Sequence, residues 1–138
     1  NCTIHMFPGI TVLLKENAHI GHGAIIHGAT IGKNCLVGMN SVVMDHVELG
    51  DESIVGALTF IKEGEKIPAR SLIAGNPGKI IKQVTDEMIA WKTKGTELYQ
   101  SLPKDMFEHG RICEPLNEMP ADQRQQDGSY SSWKQTKK

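Results

Sequence analysis

Aromatic residues make up only 5% of the 138 positions, so a core built on large rings is excluded and the apolar 39% must pack through Ile, Val, Leu and Ala. No excess of charge is present either: 15 Lys and Arg against 16 Asp and Glu leave a formal charge of -1. That balance removes the electrostatic case for nucleic acid or an anionic membrane and leaves a small molecule or another copy of the chain as the expected partner. No apolar run approaches the roughly 20 residues that span a bilayer, and the first residues carry no signal-peptide core, so the expected compartment is the cytoplasm. Three cysteines, Cys2, Cys35 and Cys113, lie far apart without a CxxC, which argues against a disulfide framework and a cysteine-rich zinc site.

What is present is a period. From Ile31 onward an aliphatic residue recurs every six positions, at Ile31, Val37, Val43, Leu49, Val55, Ile61, Ile67 and Ile73. Gly follows it at Gly32, Gly38, Gly50 and Gly56, and small residues recur four positions on, at Cys35, Ser41, Ser53, Thr59 and Ser71. Six fits neither an amphipathic helix nor an alternating strand, but it does fit a short extended segment plus a tight turn. Three such units close a triangular coil of about 18 residues. Stacked coils then place Ile31, Leu49 and Ile67 in one interior column and Val37, Val55 and Ile73 in another, with the small residues in the corners. The register continues backward through Ile26, Ile20 and Leu14, with a one-residue deletion between Ile26 and Ile31.

The expected organisation is therefore a β-helix over residues 1–84, a C-terminal α-helix over 85–103 packed on the coils, and an extended or partly disordered tail over 104–138. Thr85, Asp86 and Glu87 start the helix and Pro103 is expected to stop it. Within the tail, Cys113 to Pro120 is the stretch expected to dock, and Gln123 to Lys138 is expected to be loosely attached.

The coil frame also sorts the histidines. His5 follows Ile4 and His27 follows Ile26; their separation of 22 is one coil plus four residues, which a loop within Met6 to Leu13 can absorb. The two imidazoles are thus expected on adjacent coils, close enough to share a cation. His22 lies on the preceding face and cannot reach that ion within its own chain, whereas a neighbouring subunit of a threefold assembly could supply it. Three neutral imidazoles with an open fourth position suit a catalytic zinc. The plainer alternative is that each is a surface turn residue. His19, His46 and His109 are expected to be ordinary solvated or interface residues, and Cys35 a buried corner rather than a nucleophile.

Asn1-Cys2-Thr3-Ile4-His5, the segment His19 to Gly28, and Val37-Gly38-Met39-Asn40-Ser41-Val42-Val43-Met44-Asp45 resemble the γ-class carbonic anhydrase-like hexapeptide-repeat proteins. Within them the chain looks most similar to the PaaY (phenylacetic acid degradation) and CaiE (carnitine operon) branch, as do Trp91-Lys92, Glu97 to Gln100 and Glu114-Pro115-Leu116. The resemblance implies a left-handed parallel β-helix, a handedness that runs against the usual crossover rule and that no period reveals. It also implies a homotrimer with a metal, usually zinc, between subunits: His5 and His27 as ligands from one chain and His22 from the next. In that family a Gln, an Asp and an Arg precede the first His ligand. Their counterparts would lie before Asn1, so the first coils are expected to be missing here.

Three functions follow. The first is a hydrolase-like enzyme whose metal-bound hydroxide attacks an acyl-CoA thioester or CO2, a thioesterase or carbonic anhydrase-like chemistry in which the Met6-Phe7-Pro8 loop shapes an acyl pocket. The second is a metal-free hexapeptide acyltransferase using one His as general base. The third is a non-catalytic trimeric accessory protein of CoA-ester catabolism.

Overall fold

The six-residue period is realised as a ladder of two- and three-residue strands. The computed structural model describes residues 1–118 and 132–137. They fall into two units, Asn1–Thr93 and Lys94–Lys138. In chain order the strands are β1 Thr3–His5, β2 Leu13–Leu14, β3 His19–Ile20, β4 Ile25–His27, β5 Thr30–Ile31 and β6 Leu36–Val37. They continue with β7 Val42–Val43, β8 Glu48–Leu49, β9 Ile54–Val55, β10 Phe60–Ile61, β11 Lys66–Ile67, β12 Ser71–Ala74 and β13 Lys79–Gln83.

Every third strand pairs, as three-sided coils require, giving the sheets β1-β4-β7-β10, β2-β5-β8-β11 and β3-β6-β9-β12-β13. All pairings are parallel except the last, where β13 turns back antiparallel on β12. The chain is thus a parallel β-helix followed by a helix. Ladder register aligns Ile31, Leu49 and Ile67, and Val37, Val55 and Ile73, in the expected columns, with a third made by Ile26, Val43 and Ile61. All nine are buried. Each such burial contributes about 1.5–3 kcal/mol, which is how a prism too thin for large rings is held together.

The turns repeat as regularly as the strands. Positive φ occurs at Asn17, Gly23, Gly28, Asn34, Asn40, His46, Glu52, Leu58, Gly64 and Arg70, six residues apart at every step except Gly23 to Gly28. That shortened step is where the one-residue deletion is absorbed: Ile26 pairs with Val43, 17 residues on, whereas Val43 pairs with Ile61, 18 on. The small corner residues hydrogen-bond the coil above: the Ser41 hydroxyl donates to the Gly56 carbonyl at 2.8 Å and the Cys35 thiol to that of Gly50 at 3.1 Å. At Gly50 a β-carbon would stand 2.3 Å from the Ala69 nitrogen, so only glycine permits the coils to approach this closely.

The helix α1 runs Asp86–His109. The Thr85 hydroxyl accepts from the Met88 N–H at 3.4 Å, and Asp86 and Glu87 complement the positive end of the helix dipole. Its first two turns lie on the corner column Asn17, Asn34, Glu52 and Arg70. Arg70, paired with Glu52 at 3.0 Å, also binds Asp86, and Lys92 donates to the Asn17 carbonyl at 2.7 Å and Asn34 Oδ1 at 2.6 Å.

Pro103 does not stop the helix as expected. It sits inside, and six further residues to His109 remain helical. Proline forfeits a single i to i−4 bond, and the helix-forming run Lys104 to Glu108 resumes the ladder on its far side. Of the stretch Cys113 to Pro120, expected to dock, residues 113–118 are exposed coil and 119–120 lie outside the described residues. Of the expected loose tail from Gln123 to Lys138, 123–131 and 138 lie outside the described residues; Gln135–Lys137 forms a 3-10 turn. Among the described residues no helix is long and apolar enough to cross a membrane.

Candidate metal centre

Strands β1 and β4 set the site. They pair Thr3 with Ile25, Ile4 with Ile26 and His5 with His27, so the four-residue excess is looped out between β1 and β2 and the two histidines share a rung. With Ile4 and Ile26 pointing inward, alternation along the strand turns both imidazoles outward. His5 Nδ1 lies 2.9 Å from His27 Nε2, with ring centroids 5.0 Å apart and planes tilted by 38°. Phe7, in the looped-out segment, meets the His27 ring edge-on at 4.9 Å between centroids.

The other nitrogen of His27, Nδ1, is 2.8 Å from Asp45 Oδ2 on the next coil. Asp45 is 4% exposed and its second oxygen, Oδ1, has no hydrogen-bond partner among the described residues. A carboxylate only accepts, so His27 Nδ1 carries a proton; in the neutral ring Nε2 then presents its lone pair toward His5 Nδ1. Asp45 escaped the sequence reading. Its signal was the separation of 18 from His27, one full coil, but the deletion shifts the rungs so that Gly28, not His27, shares the Asp45 rung.

His22 stands apart from this pair. It is exposed beside the Gly23 corner, and its carbonyl accepts from the Asn40 N–H at 2.9 Å. Among the described residues, no three His, Cys, Asp or Glu side chains of one chain converge on a metal-sized centre. His19 is half-buried, and its pKa is held below the ordinary value by burial first and then by the neighbouring Lys92 and His22. His46 occupies an exposed corner with φ 59°. Burial pushes the Cys35 thiol up to about 11, which fits an inert corner and not a nucleophile. A cleft of ≈ 270 Å³ shares Gly28 with the site's turn and is bounded by Ile10, Thr11, Thr30 and His46 among others.

The residues present suit a divalent cation. Two imidazole nitrogens face each other across 2.9 Å, and behind one of them a buried carboxylate has one oxygen with no hydrogen-bond partner among the described residues. Neutral imidazole is a favoured zinc donor, and a cation at this rung would offset the buried negative charge.

The coils and their repeating corner residues are those of a hexapeptide-repeat protein, and the chain belongs to that family. A model of the bacterial transferase hexapeptide family (six repeats) matches residues 28–63. The carnitine operon protein CaiE of Salmonella agona (strain SL483) is 46% identical over 101 residues, covering 73% of this chain and 51% of the relative. CaiE of Escherichia coli (strain K12) is 41% identical over 118 residues, 86% of this chain and 60% of the relative. The chain thus spans about half to three-fifths of the length of these curated relatives. Among solved structures, a Bacillus cereus protein assigned as an acetyltransferase superposes with a TM-score of 0.71 at 31% identity, covering 78% of this chain and 61% of that one.

Proposed function

We propose that this chain is a subunit of a metal-dependent hydrolase-like enzyme acting on acyl-CoA thioesters or CO2, with His5 and His27 holding zinc or another divalent metal together with His22 of a second copy. The observation that carries it is the 2.9 Å approach of His5 Nδ1 to His27 Nε2. Nothing in the packing of the coils requires two imidazoles to meet there, since both point out of the core. Three imidazole donors leave the fourth tetrahedral position open, and zinc so bound would supply Lewis acidity that polarises a carbonyl and lowers the pKa of water toward about 7.

The chain's own residues would do the rest. Holding a cation at this rung requires His5 to carry its proton on Nε2, which faces away from His27. Phe7 covers the edge of the His27 ring and keeps one side of the centre apolar. The exposed side chains of Met6 and Phe7 would receive the acyl group. With His5 and His27 as two ligands, His22 has to come across an interface from a second copy, and the family resemblance makes that assembly a homotrimer.

The test is hydrolysis of acetyl-CoA, read by thiol release, and hydration of CO2, read by proton release, with zinc-loaded and chelator-stripped protein. Activity that disappears with the metal and with His27→Ala supports the reading. Zinc-loaded protein inert toward both substrates overturns it.

The Bacillus cereus structure at 31% identity favours a second reading, a CoA-dependent acyltransferase in which His5 or His27 serves as general base. Acetyl transfer to an amine or hydroxyl acceptor that survives removal of metal would select it.

A further inference from the structure

We propose that Asp45 is the positioning residue of this centre: its carboxylate accepts a hydrogen bond from the Nδ1–H of His27 and so holds the imidazole in the tautomer whose Nε2 is free to bind a cation. The cation in this statement rests on the metal reading above. The tautomer rests on geometry alone.

Four observations converge. Asp45 Oδ2 stands 2.8 Å from His27 Nδ1, within the range of a charge-assisted hydrogen bond. The carboxylate is held rigidly, since Val43 and Val47 on either side are core residues and the Asp45 carbonyl accepts from the Gly64 N–H at 2.9 Å. Space has been left for it: a β-carbon at Gly28, φ 58°, would lie 2.1 Å from Asp45 Oδ1. Finally, Oδ1 is buried with no hydrogen-bond partner among the described residues, and the His27 ring pairs with the other carboxylate oxygen.

A buried carboxylate bonded through one oxygen is costly on its own. A divalent cation on Nε2, across the same five-membered ring, removes that cost and completes a carboxylate–histidine–metal arrangement. In such arrangements the outer carboxylate fixes the ring and raises the basicity of the donor, and its loss lowers metal affinity by about 10–100-fold. A merely structural Asp45 would fit the space below Gly28 without dictating which ring nitrogen carries the proton.

Two measurements on the full chain decide the matter. In long-range 15N–1H spectra of the metal-free protein at pH 8, His27 is expected to carry its proton on Nδ1 in the wild type and to lose that preference in Asp45→Asn. Zinc affinity, measured by chelator competition, is expected to fall about 10–100-fold in Asp45→Asn. Asp45→Glu, which keeps the charge but lengthens the side chain, is expected to fall between the two and serves if the asparagine variant does not fold. An Asp45→Asn protein with wild-type tautomer and zinc affinity overturns the proposal. A wild-type chain without zinc affinity overturns the metal reading instead, and the tautomer spectra still decide the role of Asp45.

Discussion

Lys92 and Asn34, 58 residues apart, meet at 2.6 Å, where the ammonium donates to the asparagine side-chain oxygen at a corner of the coils. Asn34 also donates from Nδ2 to Thr93 at 3.0 Å, so one corner residue engages two successive positions of α1. Burial holds the pKa of Lys92 down to about 8 from an ordinary 10.5. Between those values the unfolded chain binds a proton that the folded chain has released, so this group's contribution makes stability rise with pH from about 8 to 10.5. Relative to Lys92→Met, the wild type is expected to gain stability between pH 8 and 10, at no more than ~1.4 kcal/mol per pH unit. Urea unfolding at the two pH values checks this, and parallel profiles would contradict it.

His19 acts in the same direction in an acidic window. Its folded pKa lies below the ordinary 6.5, so the unfolded chain protonates first and the contribution to stability is lost as pH falls below about 6.5. His19→Gln is expected to lose less stability than the wild type between pH 7 and 5. Thermal melts across that range would show the difference.

Leu58 occupies a corner with φ 60° while its side chain is 71% exposed. A γ-branched side chain gains little burial there and bears the steric cost of the left-handed conformation, which Asn40, one coil below, tolerates better. Leu58→Asn is expected to stabilise the fold by about 0.5–1 kcal/mol, read from the urea midpoint. Unchanged or lowered stability would mean that the exposed leucine packs against something outside this chain.

Pro103 interrupts the hydrogen bonding of α1 without ending it. Pro103→Ala restores the missing donor and is expected to favour the helix by up to ~3 kcal/mol. The expected readout is stronger amide-exchange protection over residues 99–107, with the coils unaffected.

The parts of the molecule legible in the sequence were those that repeat. Aliphatics such as Ile31 and Leu49 hold one register over the whole stack, and even the deletion before Ile31 reads as a broken count because every other step is six. The rung shared by His5 and His27 followed from the same count plus a loop. Contacts made across the repeat were not legible. Asp45 reaches back one rung to His27, and Lys92 looks in sequence like any solvated helical lysine although it is buried on a corner 58 residues away. Pro103 misled because proline weakens a helix more surely than it ends one. Handedness and the assignment of His22 to a second copy came from resemblance and donor counting, which no single-chain contact expresses.

The most direct test of the account is native mass spectrometry of the zinc-loaded protein alongside His5→Ala, His22→Ala and His27→Ala. The account predicts a trimer carrying three zinc ions in the wild type and loss of zinc in each variant, His22 included. A monomer that retains zinc, or a His22→Ala chain that binds as much zinc as the wild type, would contradict it.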